Sequence, residues 1–126
     1  MSEDGPVKDS LAVGLAAEQS YTVTEDMKPG HLPVAVLSTP SMIQLIEGTC
    51  LVTAQPHLDD NEVTVGTHVC VSHSGAAMAG EEVTVSCTLS TIEKRRLTFD
   101  VSVRAPSGVI SEGTHQRAVI DASRFG

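Results

Sequence analysis

The chain has 126 residues, of which 40% are hydrophobic and 2% aromatic, and its formal net charge is -8. That length fits a single domain, 1-126, with no room for a second independent core. The acidic balance excludes a general nucleic-acid binder, which needs clustered Lys and Arg, and no apolar run approaches the roughly 20 residues of a membrane-spanning helix.

Residues 1 to about 10 are polar and acidic and are expected to be disordered. They lack the cationic start and apolar stretch of a secretory leader, which points to a cytoplasmic protein. Glu18 to Glu25 has weak strand character, and the pieces KPG and LP between Met27 and Pro33 signal a loop. Thr39-Pro40 has the form of a helix start, with threonine able to cap free amides and proline suited to the first helical position. The helix is expected to run from about Pro40 to Gln55 and to stop at Pro56. From Met42 to Ala54 it is apolar nearly all round, the mark of a helix wrapped by other structure.

After Asp59-Asp60-Asn61 the pattern changes to alternation. Val65, Val69, Val71 and His73 share one face of a strand. Val83, Val85, Cys87 and Leu89 share a face of the next, Leu97, Phe99, Val101 and Val103 of a third, and Ile110, Ala118 and Ile120 mark the last. The short separators Ala79-Gly80, Glu93-Lys94 and Pro106-Ser107-Gly108 predict strands joined mostly by hairpins, hence an antiparallel sheet. One buried helix followed by a meander is satisfied when the sheet curls around the helix. The expected class is therefore α+β: a hotdog fold, with an antiparallel β-sheet around one central α-helix. A core of small aliphatics makes further burial in a dimer interface plausible.

Between Leu32 and Pro56 the only formally charged side chain is Glu47, in the middle of the most apolar helix. Burial there raises a carboxylate's pKa unless hydrogen bonds or cations compensate, so Glu47 is either a general base or nucleophile, or a structural carboxylate. Gly48 beside it costs about 1 kcal/mol against alanine in mid-helix, which suggests that a strand or ligand comes close. His73 is either a satisfied core histidine or a proton shuttle near Glu47. His68 and Cys70 fall on the face opposite His73, so no zinc or other metal site is expected. Capping alone would account for Thr39, and eight helical residues span about 12 Å, so Thr39 and Glu47 of one helix do not touch. The three cysteines, Cys50, Cys70 and Cys87, form no CxxC pair and read as buried reduced thiols without a readable activator. Lys94, Arg95 and Arg96 are consecutive, and form either a solvated turn or the dock for an anionic group such as a nucleotide phosphate.

The segments TPSMIQLIEGTC from Thr39, VGTHVCVSH ending at His73, EKRRLTFDVSV and SEGTHQRAVID together resemble the fluoroacetyl-CoA thioesterase family of hotdog proteins. The match covers the chain from about Leu37 to Asp121. It implies a catalytic set of Thr39, Glu47 and His73, hydrolysis of a short acyl-CoA thioester, and no cofactor beyond the coenzyme A of the substrate. It also implies that Arg117 shapes the acyl pocket, that the Gly66 backbone approaches the acyl carbon, and that Lys94, Arg95 and Arg96 contact CoA phosphates. The segment HLPVAVLS before Thr39 departs from the family's longer, aromatic-rich lid, which implies a broader or different small acyl group. A homodimer or a dimer of dimers is expected. Two other readings fit the same fold: an acyl-CoA hydratase or dehydratase, and a non-catalytic acyl-CoA binding module.

Overall fold

A computed structural model describes residues 7-124. Strand β1 (Ala16–Thr22) precedes helix α1 (Thr39–Ala54), and β2 (Glu62–Val71), β3 (Glu82–Glu93), β4 (Arg96–Ala105) and β5 (Gly108–Asp121) follow. They build one antiparallel sheet in the order β1-β3-β4-β5-β2. No helix among the described residues is long and apolar enough to cross a membrane. The expectation of disorder up to residue 10 falls partly on 1-6, outside the described residues. Residues 7-10 are structured, since Leu11 N–H donates to the Lys8 carbonyl at 3.0 Å and Leu11 is buried in the core.

The alternation read in β3 and β4 is what the sheet uses. Val83, Val85, Cys87, Leu89, Leu97, Phe99, Val101 and Val103 are all buried, and each large aliphatic or aromatic among them contributes about 1.5–3 kcal/mol. Against them lies the helix stripe Met42, Ile46, Cys50 and Ala54, all at 0% exposure. The helix is not wrapped on all sides: Leu51 and Val52, at 37% and 49% exposure, face outward in this single chain.

Three expectations are corrected. Ala79-Gly80 is not a hairpin turn, because β2 lies at the far edge beside β5 and not beside β3. The connection from β2 to β3 runs back past the segment before the helix, where Leu37 N–H donates to the Ala77 carbonyl and Ala79 N–H to the Ala35 carbonyl, both at 2.8 Å. Val65 does not share a face with Val69 and Val71, because a bulge between Gly66 and His68 switches the alternation; Thr64 is buried and Val65 is 40% exposed. In β5 Ile110 is buried as expected, but in the second half of the strand the buried side chains are His115, Arg117 and Val119, while Ala118 and Ile120 are only partly buried.

Candidate active site

Thr39 is not the helix cap. That role belongs to Ser38, whose Oγ accepts from Ser41 N–H at 3.2 Å. Thr39 is the first helical residue, and its hydroxyl is hydrogen-bonded to His73 Nδ1 at 2.7 Å. His73 is held for this contact by its neighbours, as Ser72 N–H donates to the Glu112 carbonyl at 2.9 Å and Ser74 N–H to the Ile110 carbonyl at 2.8 Å. The pair lies in an open depression of about 450 Å³ whose walls include His31, Leu32, Val36 and Leu37.

Glu47 sits in a different depression, of about 420 Å³, with Gln44, Gly48, Leu51, Thr64, Val65, Gly66 and Arg117. Gly48 does not mark the close approach, since a methyl group there would meet nothing within 4 Å. Gly66 does. A methyl group on it would sit 2.7 Å from Glu47 Oε2, 3.3 Å from His115 Cε1 and 3.5 Å from Arg117 Nη1. The missing side chain lets the strand pass this close beneath the carboxylate as it stands; a methyl group there would push the Glu47 side chain aside.

Arg117 is buried. Its Nε donates to Thr64 Oγ1 at 2.7 Å, Nη2 to the Thr64 carbonyl at 2.9 Å, and Nη1 lies 3.1 Å from His115 Nε2. Burial pulls the Arg117 pKa below its ordinary value, opposed by the Glu47 charge, yet a guanidinium remains protonated in any accessible range. The arrangement is a carboxylate above bare backbone, flanked by a fixed cation. Such a group can act as a nucleophile or base on a bound electrophile while the cation steadies developing negative charge.

The basic run divides. Lys94 occupies the hairpin turn at φ 57, and it and Arg96 are exposed. Arg95 instead pairs with Glu62 and donates from Nε to the Val119 carbonyl at 3.4 Å. Cys50 and Cys87 are buried free thiols and Cys70 is exposed, against the expectation that all three are buried. The hydrogen bond to Cys87, and then burial, push the Cys50 thiol up, which keeps it from serving as a nucleophile.

Sequence reasoning missed Thr64, Ser38 and His115. The signal for His115 was present: with Arg117 it forms a period-two pair on one face of β5, disguised because the inward residues are polar.

A family model described as fluoroacetyl-CoA-specific thioesterase matches residues 17-123. The fluoroacetyl-CoA thioesterase of Streptantibioticus cattleyicolor is 34% identical over 94% of this chain and 92% of that protein. Solved structures similar to this chain include the fluoroacetyl-CoA thioesterase FlK, with TM-score 0.88 at 31% identity over 93% of each chain. A phenylalanine-to-alanine variant of FlK in complex with fluoroacetate and CoA superposes with TM-score 0.86, at 31% identity over 91% of this chain and 99% of that one. A thioesterase superfamily member from Thermus thermophilus, 21% identical with TM-score 0.82 over 91% and 88% of the two chains, shares the fold. The chain belongs to the fluoroacetyl-CoA-specific thioesterase family and has its hotdog fold.

Proposed function

We propose that this thioester hydrolase cleaves a small acyl-CoA to the free acid and CoA, with Glu47, Thr39 and His73 as its catalytic residues. The observation that carries the reading is the Glu47 carboxylate over the Gly66 backbone, with Arg117 fixed beside it. Glu47 attacks the thioester carbonyl or activates water, and the Thr39–His73 pair orients the acyl group and moves a proton toward the departing thiolate. Arg117 shapes the acyl pocket, and Lys94 and Arg96 meet CoA phosphates; Arg95, engaged by Glu62, contributes to that surface indirectly. The aliphatic residues Leu32, Val36 and Leu37 of the wall beside Thr39 and His73, with no Phe, Tyr or Trp among them, favour a small acyl group. No cofactor beyond the substrate's own CoA takes part, the single domain acts in the cytoplasm, and its three free thiols suit a reducing compartment.

The working unit in this reading is a homodimer. Within one chain the Thr39–His73 pair and Glu47 lie in separate depressions, some 12 Å apart along the helix. Around Glu47 the exposed apolar groups Leu51 and Val65 and the open edge of β2 suit a second copy. The partner's pair then completes the site. Glu47→Gln abolishes thiol release from acyl-CoAs while the fold persists; unchanged turnover would sink the assignment. Mixing Thr39→Ala and Glu47→Gln protomers restores about a quarter of the wild-type rate if the site is shared, because half the dimers carry one intact site of two. No restoration would place the whole site within one chain. Crotonyl-CoA losing its conjugated absorbance without thiol release would mark a hydratase instead.

A further inference from the structure

We propose that His115 is a positioning residue of the site, acting as a fixed neutral acceptor that orients the Arg117 guanidinium and ties the β2 bulge beneath Glu47. The inference rests on the preceding reading, in which Glu47 and Arg117 meet the substrate.

His115 is fully buried, at 0% exposure. Its Nδ1 lies 2.8 Å from the His68 carbonyl oxygen and its Nε2 lies 3.1 Å from Arg117 Nη1. A carbonyl can only accept and a guanidinium can only donate. These partners leave one arrangement for the ring, with the proton on Nδ1 given to His68 and a lone pair on Nε2 receiving from Arg117. An imidazolium has no lone pair and would turn an N–H toward a cation. Burial acts in the same direction, holding the His115 pKa below its ordinary value. The charged and titratable groups facing the ring are Arg117 on β5, Glu47 on α1 and His68 on β2.

The consequence is geometric. Three of the five guanidinium N–H groups are committed, two to Thr64 and one to His115. The plane of Arg117 is thereby fixed from both sides, and the others are left for the groove. The second bond of His115 reaches the residue at which the strand register shifts, between Gly66 and His68. One imidazole thus sets both the cation beside Glu47 and the backbone under it. Removing its acceptor lets the guanidinium turn, which lowers the rate of the chemical step more than it weakens substrate binding.

The test compares two isosteric changes. His115→Gln places an amide oxygen near the Nε2 position, whereas His115→Asn keeps a donor near Nδ1 and loses the acceptor. The expected result is a fall in kcat of about tenfold to hundredfold for Asn with KM little changed, and a smaller fall for Gln. In an Arg117→Met background, His115→Asn has no further effect. Equal losses in the two variants, or losses that multiply in the double variant, would overturn the positioning role. Should either variant fail to fold, nitrogen-15 NMR of the wild-type protein decides the matter. A bare Nε2 resonance for His115 at neutral pH is expected, and an Nε2–H tautomer or an imidazolium would refute the proposal. Absence of thiol release from wild-type protein across an acyl-CoA panel is a different result: it overturns the thioesterase reading and the positioning role with it. Intact wild-type turnover with an indifferent His115 overturns this inference alone.

Discussion

Gly66→Ala asks how finely the Glu47 carboxylate must be held. The added methyl would lie 2.7 Å from Glu47 Oε2, so the carboxylate must retreat by roughly half an ångström or more to reach ordinary van der Waals distance. The atom in the way is the end of a flexible side chain, and an off-rotamer adjustment costs about 0.5–1.5 kcal/mol. Gly66 is not among the glycines at positive φ, so alanine takes its backbone without strain and gains about 0.4–1 kcal/mol from a less free unfolded chain. The two effects nearly cancel, and the melting temperature stays within about 4 °C of wild type. The displaced carboxylate is another matter, because misplacing a reacting group by about 1 Å lowers a rate by roughly a hundredfold. Thiol release measured beside thermal unfolding checks both halves. A variant with kcat within threefold of wild type would refute the claim that the glycine exists for the carboxylate, and a loss of more than about 10 °C would show that its role is packing.

The division of labour at the start of α1 predicts that Ser38→Ala destabilises the protein by about 1 kcal/mol through the lost cap. Thr39→Ala lowers kcat by tenfold or more with a smaller effect in urea unfolding; the reverse order would return Thr39 to a capping role. Arg95→Met removes the cation from Glu62, both side chains being 14% exposed, while Glu62 Oε1 still accepts from Asp59 N–H; urea unfolding shows a loss of about 1.5–3 kcal/mol. Arg96→Ala instead raises KM for acyl-CoA, most strongly at low salt, and an unchanged KM would remove it from the phosphate surface. His115, held by burial below its ordinary pKa of 6.5, binds fewer protons folded than unfolded. Its contribution to stability is therefore full above about pH 6.5 and is lost as pH falls below that toward the folded value, at up to about 1.4 kcal/mol per unit. Urea unfolding at a series of pH values shows the decline, and in His115→Gln it is shallower; equal slopes would refute the assignment to His115.

The parts of the fold that were legible are those where inward residues are apolar. The β3 and β4 alternation reads straight from Val83 to Val103, and Pro40 and Pro56 bracket the helix to within about a residue or two. Where inward residues are polar, hydrophobic patterning pointed to the wrong face. In β5 it chose Ala118 and Ile120 over the buried His115 and Arg117, because a buried cation is recognisable only through its partners, Thr64 and Glu47, which come from other elements. The bulge after Gly66 was overlooked for a related reason. Its one local sign is the glycine in VGTHV, and the change of face that follows appears only in the pairing with β5. Likewise Gly48 drew attention by standing in a helix, while Gly66, in a less conspicuous strand position, is the glycine that lies beneath the carboxylate.

That misreading has a physical meaning. Beside the edge strand β1, the sheet holds a pair of strands, β3 and β4, whose inward faces are apolar, and a pair at the other edge, β5 and β2, which carries Arg117, His115, Thr64 and Gly66. Apolar burial supplies stability roughly in proportion to area wherever it lies, whereas a carboxylate and a guanidinium work only when each is held at one orientation by hydrogen bonds. Confining the second requirement to the edge pair lets the middle of the sheet supply stability without constraining the site. The rigid helix joins the two regions. Its stripe Met42, Ile46 and Cys50 lies on the apolar core, while Glu47, one residue beyond Ile46 and about 100° further round the axis, turns out of that stripe toward Gly66. Packing of the apolar stripe thus fixes where the carboxylate stands, and the bulged strand with its His115 brace brings the backbone up to meet it.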